Sequence, residues 1–275
     1  MLDRYGVPEI LPEDAQGQLA GLYQDIQFVL KVPVVPFLFR SLALFDRFLI
    51  TAWEQVRGNM LTVHMEQAAK SLRHPPLDWQ VPGSDWGSHY DSETLDQLRR
   101  TLSAFQYVNP KLLLITSAWA ESLGNRPILG TGYAIGSIPP GLFPGNTEIP
   151  LMHPTKAPDR IRELLEDIAG THHAFDIACD YRALAYYPEF LGTSWDHLKP
   201  YVQTPEYQLQ HSRLLTESIR LAHTMPYPVT ISQEELASCF TPQQIAGIIG
   251  MVSLCQHVLP GLIIDTEFFR RMLRC

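Results

Sequence analysis

Two stretches of the chain, LFRSLALFDRFLITAW at 38–53 and DYRALAYYPEFLGTSW at 180–195, are versions of one sequence. Each residue set against the one 142 positions later gives an ordered run of identities: Leu22/Leu164, Asp25/Asp167, Ile26/Ile168, Arg40/Arg182, Leu42/Leu184, Phe48/Phe190, Leu49/Leu191 and Trp53/Trp195. Further on the offset is 150, where FQYVNPKLLLI (105–115) meets CQHVLPGLIID (255–265) with Gln106/Gln256, Val108/Val258 and Pro110/Pro260 in register. An internal repeat of this length makes the fold a pairing of two copies of one unit. The copies are expected to face each other about a pseudo-twofold axis, as the halves of a homodimer would.

The unit reads as helical. Leu19, Leu22, Tyr23, Ile26 and Leu30 recur at i, i+3, i+4 and i+7 spacing. The same pattern predicts helices over 15–31, 37–57, 59–73, 92–107, 111–124, 157–170, 181–199, 205–224, 232–238, 241–258 and 261–273. Asp91, Ser232 and Thr241, the last followed by Pro242, supply N-caps. Strand-like alternation is nearly absent, so the fold class is all-α. Residues 125–156 break both patterns, with glycine or proline at 130, 132, 136, 139–141, 144 and 145. The expected division is a first repeat at 1–124, a Gly/Pro-rich linker at 125–156 and a second repeat at 157–275.

Composition excludes several function classes. A net charge of −8 with no Lys/Arg run argues against nucleic acid. Lys31, Arg40 and Asp46 interrupt the first apolar region, so no membrane-spanning helix is expected. The opening MLDRYGVPEILPEDAQ is acidic and lacks an apolar stretch, unlike a signal peptide. Cys179, Cys239, Cys255 and Cys275 form no CxxC pair and read as thiols, so a cytoplasmic location is expected.

The repeat acts as its own control. Aromatic and aliphatic positions kept in both copies are most simply core, whereas a polar residue present once needs another reason. Asp180 stands where the other copy has Leu38, and Asn109 where it has Leu259. Leucine partners imply apolar surroundings, in which an unpaired carboxylate or amide costs several kcal/mol. Brought together, the two side chains could hold and deprotonate a water molecule. The bland alternative is that Asp180 caps a helix starting at Tyr181. His173, Asp176 and Asp180 could share a helical face as metal ligands, and Cys179 could be a nucleophile, but neither has a supporting motif. Lys31 could bind a substrate carboxylate, whereas Arg40, matched by Arg182, reads as structural. GSIPPGLFPG lacks the ending and preceding strand of a phosphate loop.

LKVPVVPFLFRSLA, QYVNPKLLLITSAWAES, SIPPG and CDYRALAYYPEFL followed by TPEYQ together resemble the group I 2-haloacid dehalogenases, which act on both D- and L-2-haloacids. The similarity runs from about residue 18 to residue 265. It implies a cofactor- and metal-independent hydrolase, its two helical halves forming a pseudo-dimer around one site, in which an aspartate activates water to displace halide at C2 with inversion. Asp180 matches that aspartate and Asn109 the asparagine that positions the water; Phe37 matches an aromatic wall of the pocket. Backbone N–H groups around residues 178–180 would receive the substrate carboxylate. The sequence departs from the family at Val34, where a pocket tryptophan is expected, and at Cys179, where a serine precedes the aspartate. With Tyr107, these residues are expected to shape the pocket of a small-molecule carboxylic acid substrate, and a homodimer is one candidate assembly. Two other readings stay open: a non-catalytic helical acid-binding or scaffold protein, and a hydrolase of this fold acting on a non-halogenated substrate.

Overall fold

A computed structural model describes residues 8–145 and 148–273, so the thiol expected at Cys275 lies outside the described residues. The first half comprises α1 (Gln18–Leu30), α2 (Phe37–Leu42), α3 (Asp46–Met60), α4 (Val63–Leu72) and α5 (Ser92–Leu123). The second comprises α6 (Asp159–Thr171), α7 (Cys179–Leu184), α8 (Pro188–Val202), α9 (Pro205–Ala222), α10 (Gln233–Leu236) and α11 (Pro242–Met272). No strand occurs among the described residues; two isolated bridges, Thr62 to Ser137 and Ile128 to Val229, are the extent of extended pairing. The fold is all-α.

The predicted caps hold. Asp91, Ser232 and Thr241 each accept a backbone N–H of the first turn, the latter two in full capping boxes. Two expectations about helix length change. The segments 37–57 and 181–199 are each a short helix and a longer one, separated where Phe45 and Tyr187 leave helical geometry in closely similar conformations. Conversely, the segments expected to end before Pro110 and Pro260 run on, so α5 and α11 are single helices of 32 and 31 residues. An interior proline removes one backbone donor and crowds the carbonyl four residues back. Both helices tolerate it because burial on either side of each proline holds the next turn in place.

α11 also corrects the reading of apolar runs. It contains an 18-residue window of mean hydropathy 1.8, because residues 241–264 carry no Asp, Glu, Lys or Arg. In this fold it is a core helix, packed along α5 and against α2, α8 and α9.

Contacts recur between the halves at the sequence offsets. Asp25 accepts from Trp53 Nε1 (2.7 Å) and Arg57; Asp167 accepts from Trp195 Nε1 (2.7 Å) and Lys199. Ile10 N–H donates to Arg40 O, and Met152 N–H to Arg182 O, both at 3.0 Å. α2 packs on α11 as α7 packs on α5. Across the central pair, Gln106 donates to Glu267 (3.0 Å) and Gln256 to Ser117 (3.2 Å), a reciprocal exchange between matched positions. The segment between α5 and α6 pairs with Val229 and then with Leu61, while Lys31 Nζ donates to Pro139 O (2.7 Å).

Candidate active site

α7 begins with CDYRAL and presents its second residue toward the middle of α5. Asp180 and Asn109 are 6% and 2% exposed, and Asn109 Nδ2 donates to Asp180 Oδ1 at 2.6 Å. Asp180 is not the helix cap: Ala178 holds that place, and the carboxylate turns inward. Thr266 Oγ1 donates to Leu262 O at 2.6 Å and reaches Asp180 Oδ1 at 3.4 Å. Burial pushes the Asp180 carboxyl up to about 7, against the opposing pull of the Asn109, backbone and Thr266 hydrogen bonds; the nearby Asp265 charge adds to the rise.

The pair opens onto a cavity of about 480 Å³. Its lining comes from matched positions of both halves: Leu38 with Asp180, Asn109 with Leu259, Phe37 with Cys179, and Leu112 with Leu262. Phe37 meets Phe175 at 5.5 Å between ring centroids, and Val34 also lies on the wall. Cys179 Sγ accepts from Arg40 Nη2 at 3.6 Å. Arg40 is otherwise held by Glu9 (2.7 Å) and Val35 O (2.7 Å), which agrees with the structural role its repetition implies.

Tyr107 is a correction. Two residues from Asn109 on one helix, it points roughly 200° around the axis and does not reach this cavity. Its hydroxyl instead donates to Glu66 (2.6 Å) and accepts from the buried Lys111 (2.8 Å). His173, Asp176 and Asp180 do not share a helical face, because residues 172–178 form turns and bends and His173 has φ 51°. Among the described residues no group of three His, Cys, Asp or Glu side chains could hold a metal ion. Lys31 serves the linker segment, not the cavity.

A second buried polar group lies behind Asp180 and was missed. Asp265, 2% exposed, accepts from the Tyr181 hydroxyl and from Tyr207 Oη (2.8 Å), with His172 Nε2 at 3.1 Å. Burial lowers the His172 pKa, but the adjacent Asp265 carboxylate outweighs it and the net shift is upward. Burial, followed by the Asp265 charge, raises both tyrosines well above their ordinary range. The repeat held the signal for it: Asp265, Tyr181 and His172 stand opposite Ile115, Phe39 and Leu30.

A family model described as halocarboxylic acid dehydrogenase DehI matches residues 33–181. Over 268 residues the chain is 32% identical to a configuration-inverting 2-haloacid dehalogenase of Alcaligenes xylosoxydans xylosoxydans, covering 94% of this chain and 90% of the relative. The chain belongs to the 2-haloacid dehalogenase family. To another relative of that kind, the (R)-2-haloacid dehalogenase of Pseudomonas putida, it is 25% identical over 271 residues, covering 94% and 89% of the two chains. The fold agrees with that of a D-2-haloacid dehalogenase solved in complex with L-LA, at a TM-score of 0.88 and 22% identity, covering 99% and 98%.

Proposed function

We propose that Asp180 and Asn109 carry out the hydrolytic dehalogenation of 2-haloalkanoic acids in this chain. The observation that carries the reading is a buried carboxylate with a pKa of about 7, hydrogen-bonded to a buried amide at the edge of a largely apolar cavity. Asn109 and Thr266 both reach Oδ1, so Oδ2 is the oxygen that takes the proton of a water. The water oxygen forms its bond to C2 as the carbon–halogen bond breaks on the opposite face. Halide leaves, C2 inverts, and the proton resting on Asp180 passes to solvent. A base poised near the working pH is favoured for such a transfer and typically contributes about 10²–10⁴ in rate.

Phe37, Val34 and Cys179 shape the pocket in this reading. The recurring contacts and the reciprocal Gln106/Glu267 and Gln256/Ser117 bonds support a pseudo-dimer of two repeats, 1–124 and 157–275, joined by 125–156. Action on both configurations at C2 is what the resemblance to the group I enzymes implies; the relatives themselves are named configuration-inverting and (R). The test is halide release from the separate enantiomers of 2-chloropropionate, with chiral analysis of the lactate formed. Turnover of both with inversion is expected. Undiminished turnover by Asp180→Asn would remove Asp180 from the mechanism, and strict use of one enantiomer would remove the group I reading.

A further inference from the structure

The two leucines that replace the reacting pair in the other copy are not remote from it. Leu38 on α2 and Leu259 on α11 line the same cavity as Asp180 on α7 and Asn109 on α5. Because α2 packs on α11 as α7 packs on α5, one cavity is bounded by a polar pair and by its apolar counterpart. We infer that the Leu38–Leu259 side is a binding subsite for the substituent at C2, and that the preferred substrates are 2-halo acids bearing a medium-length aliphatic or aromatic group.

Three observations converge on this. At about 480 Å³ the cavity falls among pockets that enclose drug-sized ligands, roughly 300–1,000 Å³, far more than a three-carbon acid fills. Val258 and Leu262 on the helix of Leu259, and Leu112 on that of Asn109, continue the apolar lining. The carboxylates on the lining are Asp180, the proposed base, and Asp176, which accepts from Ile177 N–H and belongs to the 172–178 segment of the second half. A substrate whose carboxylate and C2 sit at Asp180–Asn109 therefore extends its substituent toward Leu38 and Leu259, on a lining that also carries the imidazoles of His172, His173, His211 and His257. Each methylene transferred from water to such a surface contributes about fourfold in affinity.

The inference rests on Asp180 and Asn109 marking the reacting end, and two separate measurements keep the ideas apart. The first is kcat/KM for 2-bromopropionate, 2-bromobutyrate, 2-bromohexanoate and 2-bromooctanoate, expected to rise about fourfold per methylene until the cavity is full. The second is competitive inhibition by the unhalogenated straight-chain acids, which requires no chemistry; their Ki should fall with the same slope. Leu259→Phe should lower kcat/KM for the octanoate at least tenfold more than for the propionate. Leu259→Ala should move the optimum to a longer chain, and it guards against a Phe variant that folds poorly. A flat or falling dependence of Ki on chain length, or an equal loss across the series in both variants, overturns the subsite whatever Asp180→Asn does. A steep Ki series beside an active Asp180→Asn overturns the base and leaves the subsite standing.

Discussion

The substitution Asp180→Asn separates what the carboxylate does for chemistry from what its burial does to the fold. In the native protein the group lies at about 7, against an ordinary 3.8. About three units at 1.36 kcal/mol each make the ionised form roughly 4 kcal/mol less favourable inside than outside. Below about pH 4 the carboxyl is protonated in both states and the penalty is absent. Between about 4 and 7 the unfolded chain gives up its proton first, so native stability falls as pH rises, and above about 7 the whole penalty is present. Asparagine keeps the shape and can still accept the Asn109 hydrogen bond. The variant is therefore expected to match the wild type near pH 4 and to exceed it by about 2–4 kcal/mol at pH 8, while losing activity by at least 10²-fold. Urea unfolding followed by circular dichroism at each pH reads the first quantity, and halide release the second. A variant no more stable at pH 8 than the wild type, or a difference independent of pH, would refute a desolvated carboxylate.

Asn109→Leu installs the residue of the other copy and removes a hydrogen bond that favours the Asp180 anion, so the acid limb of the kcat/KM profile should move above 7 as the rate falls. Asp265→Asn should move the same limb toward acid, because the Asp265 charge raises the Asp180 pKa; a pH–rate profile over 5 to 9 checks both directions. Trp53→Ala and Trp195→Ala each empty a fully buried site and remove one hydrogen bond from an aspartate that keeps its Arg57 or Lys199 partner, so each should destabilise by about 3–5 kcal/mol in urea unfolding, with similar values for the two halves.

The sequence match between the halves was legible because core positions tolerate little variation in shape: Trp53 and Trp195 are both fully buried and each donates to an aspartate. The Asp180–Asn109 pair was legible for the opposite reason, as polarity placed where the copy has leucine. The same contrast marks Asp265, Tyr181 and His172, which stand opposite Ile115, Phe39 and Leu30. Tyr107 misled because proximity in sequence to Asn109 says nothing of direction around a helix. The continuity of α5 and α11 through proline was hidden for a different reason. A helix interior rejects proline by local energetics, and only the packing of each long helix against the other and against its neighbours restores the turn.

Leu38 and Asp180 occupying corresponding places around one cavity has a consequence for assembly. Two identical subunits meeting on a twofold axis would place the same residue at both positions. With aspartate, two carboxylates would share one desolvated space, each opposing the ionisation of the other. With leucine, no base would exist. Two copies within a single polypeptide escape that choice, since each can be altered without altering its counterpart. On the proposed reading, joining the two repeats in one chain is what permits one base, one amide and a pair of leucines to line a single chamber that symmetry would otherwise make uniform.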